Sequence, residues 1–294
     1  MNYRNDIEKC IEYIEANIQE PFSVKEIADK AGYSVFHFSR VFRRIMGMSI
    51  MEYVRKRRLS LAAQELLQAE KIIDVAYNHG FDTASGFSKA FRKEYGYSPL
   101  QYIKRMKPFY QQGISDMKGI YTKEPQIVSK PAFKVAGYGI KTNIIGNSYT
   151  SDIGAFWENF NGENLEAKLY EILNPIRHGE IGVCMLTSEW ADIIYVLGVI
   201  VENFSKATDD MMLIEIPEAE YAVFETLPVN TVHDLEQREF AQVIKNTWKY
   251  IFEEWFPDSG YCYDEDKYDF EYYDERCHFR PDTVMEIYIP VKKV

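Results

Sequence analysis

The sequence of 294 residues predicts an α+β protein of two domains, the first all-α and the second built on an antiparallel sheet. Residues 1–108 show the spacing of apolar residues that is typical of helices, whereas segments rich in β-branched and aromatic residues begin at Pro131. The charge also changes sign. Residues 1–110 hold 18 Lys and Arg against 13 Asp and Glu, a net charge of +5, and residues 111–294 carry a net charge of −16. Such a split favours two modules with different partners, and the basic module is the candidate for binding a polyanion.

The composition excludes several classes of protein. With 46% hydrophobic and 27% charged residues, the chain is typical of globular proteins and not of disordered ones. The longest apolar run, Ile193–Val201, is far shorter than the roughly 20 residues of a membrane span. Charged residues follow the first methionine at once, so we expect no secretion signal and a cytoplasmic protein with reduced cysteines. Neither the four cysteines nor His37 and His79 have a partner at metal-ligand spacing, so no metal or cofactor is predicted.

Local signals place the helices of the first domain, residues 1–108. Helix starts are indicated by two capping boxes and a Ser-Pro step, at Ser23–Glu26, Ser49–Glu52 and Ser98–Pro99. The second box opens a helix that continues to about Gln68, because no glycine or proline interrupts it. Pro108 is expected to end the last helix, and the polar residues 109–130 are predicted to be a linker.

A repeat organises the first domain. Residues 24–50 match residues 72–99 with an offset of 48 before a turn and 49 after it. The matching pairs are Ile27–Ala28 with Val75–Ala76, Gly32–Tyr33 with Gly80–Phe81, Phe38 with Phe87, Phe42 with Phe91, Gly47 with Gly96 and Ser49 with Ser98. Each copy predicts a short helix with a buried alanine, a glycine turn and a second helix, which is the layout of a helix-turn-helix. The N-terminal domain is therefore expected to be an all-α double helix-turn-helix.

The turn of each copy has specific residue requirements. Gly32 and Gly80 can take the left-handed conformation that ends the first helix. Ser34 in the first copy, and Asp82 or Thr83 in the second, can cap the helix that follows. The phenylalanines of these second helices recur at i, i+4 and are expected to face the core.

The opposite face of each second helix carries cations and hydroxyls. Arg and Lys read guanine in the major groove of DNA, and hydroxyls contact base edges or phosphates. A single cation is as easily explained as an ordinary solvated surface charge as by DNA binding. The same cationic face occurs on both second helices, however, and this repetition favours DNA binding. The residues on these faces are Phe36, His37, Ser39, Arg40, Arg43 and Arg44 in the first copy and Ala84, Ser85, Ser88, Lys89, Arg92 and Lys93 in the second.

With these features, residues 5–107 resemble the paired DNA-binding module of the AraC/XylS transcription regulators. The resemblance implies that one chain inserts two recognition helices into successive major-groove segments of promoter DNA. It also implies activation of transcription and a contact with RNA polymerase. By position in the motif, the base-reading residues are Phe36, Ser39 and Arg40, then Ala84, Ser85 and Lys89, and the phosphate-binding residues are Arg43, Arg44, Arg92 and Lys93. Ala84 and Gly86 are small, so the second helix is expected to read few bases.

The order strand–helix–strand–strand occurs twice in the second domain, at about 131–203 and 212–294. Trp157 and Trp248 hold matching places in the helices, so we expect an antiparallel-sheet domain of two βαββ repeats. The predicted strands are Phe133–Lys141, Ile181–Thr187, Ile193–Val201, Leu213–Ile216, Tyr221–Thr226, Tyr268–Tyr273 and Val284–Val291, and the predicted helices are Ile153–Asn161, Leu165–Leu173 and Glu239–Phe256.

Glu286 is a carboxylate between apolar neighbours on the last predicted strand. Strand alternation places Glu286 and Tyr288 on the same face. A buried and unpaired carboxylate is costly, but a cavity that receives a cation accommodates it. Glu271, on the preceding strand, is a second candidate. The alternatives are that Glu286 faces solvent at a sheet edge and that Trp157 belongs to the core.

Residues 125–294 resemble the GyrI-like effector-binding domain. The resemblance rests on the doubled βαββ plan and on the segments Tyr195–Glu202, Phe270–Asp274 and Glu286–Pro290. It implies a pocket between the repeats in which a carboxylate and aromatic rings bind a lipophilic cation. The ligand-binding residues expected from it are Glu286, Glu271 and Tyr288, with Tyr195, Trp157 and Trp190 in the pocket wall.

We therefore expect a DNA-binding transcription regulator, not an enzyme, whose second domain, residues 131–294, senses a small lipophilic or cationic ligand. One alternative makes this domain a hydrolase of small molecules, in which a glutamate beside a tyrosine positions water as a general base. No Ser–His–Asp or Cys–His arrangement supports nucleophilic catalysis. Another alternative is a module that inhibits a second protein by binding it.

Overall fold

A computed structural model of the chain describes residues 3–69, 71–111, 123–143, 148–187, 192–233, 238–277 and 280–294. Its internal contacts divide the chain into two compact units, Met1–Glu94 and Tyr95–Val294. The first is all-α and the second is α+β, as the sequence predicts. Within the described ranges, no helix is both long and apolar enough to cross a membrane.

The first unit consists of helices with capped starts and glycine turns. They are α1 (Tyr3–Ala16), α2 (Val24–Lys30), α3 (Val35–Met46), α4 (Ile50–Leu66), α5 (Ile72–Asn78) and α6 (Ala84–Tyr95). Both predicted capping boxes form, at the starts of α2 and α4. The helix-turn-helix copies are α2–α3 and α5–α6, and their turn residues Gly32 and Gly80 have φ angles of 72° and 75°. An L side chain is strained at such angles, so glycine is favoured at both turns.

The core of the first unit confirms the pattern of the repeat. Ala28 and Ala76 are fully buried, which lets the helices of each copy cross closely. The phenylalanines at i, i+4 are also fully buried, namely Phe38, Phe42, Phe87 and Phe91. Burial of each such side chain stabilises the fold by about 1.5–3 kcal/mol, and it directs the opposite faces of α3 and α6 towards solvent.

The second unit begins with α7 (Pro99–Gln111) and continues as two related halves. The elements of the first half are β1 (Gln126–Lys130), β2 (Phe133–Asn143), α8 (Ser148–Gly162), α9 (Leu165–Leu173), β3 (Glu180–Leu186) and β4 (Asp192–Val201). Those of the second half are β5 (Met212–Ile216), β6 (Ala219–Glu225), α10 (Arg238–Tyr250), α11 (Phe256–Asp258), β7 (Tyr261–Tyr263), β8 (Phe270–Tyr273) and β9 (Glu286–Lys293). A π-helical turn, Ile251–Trp255, joins α10 to α11.

The strands form an antiparallel sheet in the order β1-β6-β9-β8-β3-β4-β2-β5, with β7 added on β9. The order confirms two βαββ repeats, β2-α8-β3-β4 and β6-α10-β8-β9, which meet where β3 pairs with β8. The edge strands are exchanged between the repeats. β1 precedes the first repeat but pairs with β6, and β5 precedes the second repeat but pairs with β2.

The structure differs from the predicted boundary between the domains. The predicted linker, residues 109–130, includes β1, and α7 continues past Pro108 to Gln111. A proline removes only its own N–H from the helix, so well-anchored turns around it can stay helical. α7 belongs to the second unit because its polar side chains are buried there: Lys104 Nζ donates to the carbonyl oxygen of Cys184 at 2.7 Å. The predicted N-terminal domain, residues 1–108, therefore includes most of a helix that the structure places in the second unit.

Candidate functional site

α3 turns cations outward while its phenylalanines are buried. The hydroxyl of Ser34 caps the helix by accepting a hydrogen bond from a backbone N–H of the first turn at 3.3 Å. Phe36 is 77% exposed and Ser39 is half-buried. Three arginines are exposed and make no ion pair with any residue in the described ranges: Arg40, Arg43 and Arg44. Their charges are therefore available to an anionic partner.

α6 presents a similar surface. Thr83, one of the two predicted caps, accepts a hydrogen bond from Gly86 N at 3.0 Å. A Cβ at Gly86 would lie 3.0 Å from the Thr83 hydroxyl, so a small residue at this position leaves room for the cap. Of the predicted contact residues, Ser85, Lys89 and Lys93 are exposed and Ala84 and Arg92 are half-buried. The two helix-turn-helix copies thus each place a capped helix with exposed cations after a glycine turn.

On the last strand, Glu286 is not a free carboxylate. The Tyr288 hydroxyl donates to Glu286 Oε2 at 2.6 Å, and Arg276 Nη2 donates to Oε1 at 2.8 Å. Arg276 also pairs with Asp274 and Glu225. Its hydrogen bond to Asp274, together with the one to Glu286, raises the pKa of Arg276. The carboxylate expected to hold a ligand cation is therefore already bound to a cation of the protein.

Glu271 and Glu286 lie on opposite faces of the sheet. In the register of β8 with β9, Tyr272 is opposite Glu286, and Glu271 is opposite Ile287. Residues directly opposite each other share a face, and neighbours along a strand alternate. The two carboxylates that were expected in one pocket are thus separated by the sheet.

Glu271 belongs to an aromatic cluster on the face of the sheet that α8 and α10 cover. Trp248 Nε1 donates to its Oε1 at 2.8 Å, and the Tyr273 hydroxyl donates to its Oε2 at 2.9 Å. Trp157 packs on Tyr273, with ring centroids 6.0 Å apart, and is the hydrogen-bond partner of the Tyr195 hydroxyl. Burial raises the pKa of Tyr195 and of Tyr273, which favours the protonated hydroxyl in both residues. These contacts give Glu271, Trp157 and Tyr195 structural partners within the core of this face.

A cavity of about 250 Å³ lies on the opposite face of the sheet, beside Tyr288. Phe270 and Tyr288 stack there with ring centroids 4.5 Å apart, and Lys130 Nζ lies 4.5 Å from the Tyr288 centroid. The lining residues are Lys130, Pro131, Phe133, Arg177, Ile181, Ile200, Phe270, Tyr272 and Tyr288. Of the residues expected to bind ligand, Tyr288 lines this cavity and Glu286 adjoins it through the Tyr288 hydroxyl. Trp190 lies outside the described residues.

A separate group of side chains, Glu166, His178 and Glu180, brings together residue types that can act as metal ligands. Their ligand atoms all lie within 4.8 Å of one another. An imidazole and two carboxylates could hold a divalent transition metal. Glu180 is buried and already accepts a hydrogen bond from the Tyr170 hydroxyl at 2.5 Å. The sequence carries no signal for this group, because its members come from α9, a loop and β3.

Sequence reasoning also missed the cations near the cavity. Lys130 ends a strand within the predicted linker, Arg177 lies in a loop and Arg276 lies in a short turn between β8 and β9. Alternation along β8 could have placed Tyr272 on the face of Glu286, once the pairing register was known. No local pattern identifies the three cations, since a loop or edge position carries no periodicity.

Two families match the chain. Residues 126–291, more than half of it, match the family of integron-associated effector binding proteins. Residues 27–105 match a helix-turn-helix domain family. The first match spans the sheet from β1 to β9, and the second spans both helix-turn-helix copies and half of α7.

Individual relatives match one half of the chain at a time. YbfP of Bacillus subtilis, an HTH-type transcriptional regulator, is 37% identical over 110 residues, which are 37% of this chain and 37% of YbfP. The chain thus spans little more than a third of that relative. The regulatory protein SoxS of Salmonella typhimurium is 36% identical over 107 residues, which are 36% of this chain and 100% of SoxS.

Among solved structures, SAV2435 bound to tetraphenylphosphonium is similar to part of the chain. It is 20% identical, and the match covers 58% of this chain and 94% of that one with a TM-score of 0.44. The family match over residues 126–291 shows that the chain belongs to the integron-associated effector binding proteins, and its likeness to SoxS, over the whole length of that relative, shows that it also belongs to the AraC-type transcription regulators.

Proposed function

We propose that this protein binds promoter DNA with α3 and α6 and regulates transcription in response to a small lipophilic ligand in the cavity of the second unit. The observation that carries the proposal is the pair of matching helices that follow glycine turns and expose cations. The major groove of B-DNA admits an α-helix, and cations around that helix neutralise the flanking phosphates. Membership of the AraC-type regulators supports the same conclusion.

The roles of single residues follow from their exposure and chemistry. The exposed arginines and lysines can reach base edges or phosphates, and Phe36 can pack on a thymine methyl group. We assign base reading to Phe36, Ser39 and Arg40 on α3 and to Ala84, Ser85 and Lys89 on α6. We assign phosphate contacts to Arg43, Arg44, Arg92 and Lys93.

Selection from random duplexes tests the DNA-binding half of the proposal. The full chain is expected to enrich a site with two half-sites about one helical turn apart, because each recognition helix reads its own major-groove segment. The affinity for the enriched duplex should fall steeply with salt, as phosphate neutralisation requires. Failure to retard any duplex at low salt would contradict the proposal.

For the second unit, we propose that the cavity beside Tyr288 binds the effector. Aromatic rings line it, and apolar pockets with a few polar groups are the usual form of small-molecule sites. A ligand there changes the activity only through a difference in affinity for two states of the protein. The expected test result is a ligand-dependent change in operator affinity or in transcription that is lost when the cavity is filled by a larger side chain at Ile200.

We further propose activation rather than repression, by analogy with the AraC-type regulators. An activator contacts RNA polymerase at the promoter, so polymerase is the expected protein partner and the cytoplasm the expected compartment. Transcription in vitro with purified polymerase tests this directly. A fall in transcript when the protein is added would favour repression.

We also propose that the second unit binds its ligand without chemical turnover. Each oxygen of Glu286 accepts a hydrogen bond, one from Arg276 and one from Tyr288, and this pairing supports a structural role for the carboxylate rather than that of a general base. Incubation of the protein with small electrophiles decides between binding and hydrolysis. Product formation that disappears in Glu286→Gln would favour the hydrolase.

A further inference from the structure

The cavity beside Tyr288 has a positive lining. Among its described residues are two cations, Lys130 and Arg177, and no acid; the others are apolar or aromatic. Within the described ranges, neither cation forms an ion pair with a carboxylate. Arg177 hydrogen-bonds to the Tyr272 hydroxyl, and Lys130 lies over the Tyr288 ring. Among the described residues, both positive charges of the cavity wall therefore lack a carboxylate partner.

The carboxylates near the cavity are committed elsewhere. Arg276 binds Glu286, Asp274 and Glu225 together, and the Tyr288 hydroxyl donates to the second oxygen of Glu286. Glu286 acts on Lys130 only through space, and it favours the charged lysine. Burial outweighs this effect and, with Arg177, lowers the pKa of Lys130. Burial thus disfavours the charged form of Lys130, and a bound anion would stabilise that form.

We propose that the cavity binds a small aromatic anion, whose ring lies against Tyr272 and Tyr288 and whose charged group lies between Lys130 and Arg177. This inference rests on the proposed sensing function and names the class of its ligand. A carboxylate or phosphate would accept charge-assisted hydrogen bonds from both cations. A cationic ligand would meet two like charges in a partly desolvated site, where such repulsion is strong.

The size of the cavity limits the ligand. An apolar cavity of about 150 Å³ is large enough for benzene, and this cavity holds about 250 Å³. A substituted single ring or a fused pair of rings fits that space. The apolar side chains of Phe133, Ile181 and Ile200 cover the remaining wall, so the charged group has to lie at the end formed by Lys130 and Arg177.

Three naphthalene probes of similar size, whose polar groups are negative, neutral and positive, test the inference: 2-naphthoate, 2-naphthalenemethanol and 2-naphthalenemethylamine. Isothermal titration calorimetry of each probe with the full chain is expected to show the tightest binding for naphthoate, by about tenfold over the alcohol. The amine is expected to bind more weakly than the alcohol. Lys130→Gln and Arg177→Gln should each remove most of the advantage of naphthoate while the affinity for the alcohol stays within about twofold.

Lys134→Gln is the matched control, because Lys134 also lies over an aromatic ring, that of Phe204, but does not line the cavity. It should bind all three probes as the wild type does. Tightest binding of the amine, or an advantage of naphthoate that survives both cavity substitutions, would overturn the anion inference and leave the cavity as a lipophilic site. If circular dichroism shows a folded chain that binds none of the probes, the proposed sensing function of this cavity fails as well.

Discussion

Arg105 of α7 forms an ion pair with Asp269 beside the sheet, and its Nη2 lies 2.7 Å from Oδ1 of a carboxylate that is fully buried. Lys104, the neighbouring residue, donates to the same carboxylate at 3.1 Å. The guanidinium of Arg105 also lies 4.1 Å from the centroid of the Trp248 ring on α10. A buried ion pair and a cation–π contact therefore hold α7 in the second unit.

Asp269→Ala is expected to destabilise the second unit by about 3–5 kcal/mol, because it leaves Lys104 and Arg105 buried without their counterion. Urea unfolding followed by tryptophan fluorescence measures this, since all four tryptophans lie after residue 95. Asp266→Ala is the control, because its side chain is 87% exposed and pairs with Lys292 at the surface. Its cost should stay below about 1 kcal/mol. An equal fall in the free energy of unfolding in the two variants would show that the buried pair stabilises the fold no more than the surface pair does.

The same carboxylate predicts sensitivity to acid. Burial alone would raise the pKa of Asp269, but Arg105 and Lys104 outweigh it and hold that pKa below its usual value. Such a group stabilises the fold above its unfolded-state pKa, near 3.9, and loses this contribution as the pH falls towards its folded-state pKa. The difference in unfolding free energy between wild type and Asp269→Asn should therefore narrow below about pH 4. A difference that stays constant from about pH 6 to about pH 3 would contradict the assignment.

The sequence predicted those features that depend on residues close together in the chain. The capping boxes, the turns at Gly32 and Gly80 and the buried phenylalanines are local patterns, and each appears in the structure. The repeated strand–helix–strand–strand order was likewise readable from periodicity and from the matching Trp157 and Trp248. Local rules therefore establish the elements and most of their order.

The candidate ligand site depends on pairing between distant segments, which no local rule supplies. Alternation placed Glu286 and Tyr288 on one face, but the face of Glu271 follows only from the register of β8 with β9. Arg276 reaches Glu286 from a turn, and Lys130 reaches Tyr288 from an edge strand. The sequence therefore does not predict that Glu286 is paired with Arg276. It also does not predict that Lys130 lies at the cavity.

Arg40→Ala and Lys93→Ala are expected to weaken DNA binding in different ways. Loss of Arg40, a proposed base reader, should cost about 1–3 kcal/mol at the preferred site and relax the base preference there. Loss of Lys93, a proposed phosphate contact, should weaken all duplexes similarly and reduce the salt slope by about 1. Fluorescence anisotropy with the selected duplex and a scrambled one, over a range of salt, measures both effects. Lys9→Ala, an exposed position on α1, should change neither, and unchanged site preference in Arg40→Ala would remove α3 as a recognition helix.

Alanine at the two glycine turns should destabilise the first unit to different extents. At Gly32 an added Cβ meets nothing within 4 Å, so the cost is backbone strain alone, about 1–2 kcal/mol. At Gly80 the Cβ would lie 2.6 Å from Arg58 Nη1, so that side chain must also move and the cost should be higher. Gly32→Asn should cost less than Gly32→Ala, because asparagine tolerates the left-handed region. Urea unfolding followed by circular dichroism ranks the variants, and a Gly32→Ala chain as stable as wild type would argue against strain at the turn.

Glu271→Gln is expected to lower the stability of the second unit without changing its affinity for a ligand. Trp248 and Tyr273 both donate to Glu271, and an amide places a donor against one of them, at a cost of about 1–3 kcal/mol. The affinity for 2-naphthoate should stay within about twofold, because the cavity lies on the other face of the sheet. Tyr272→Leu, a substitution in the cavity wall, should weaken that affinity with a smaller change in stability. If Glu271→Gln instead abolishes probe binding while the unfolding free energy is unchanged, the ligand-binding carboxylate is Glu271 and the effector site lies under α8 and α10.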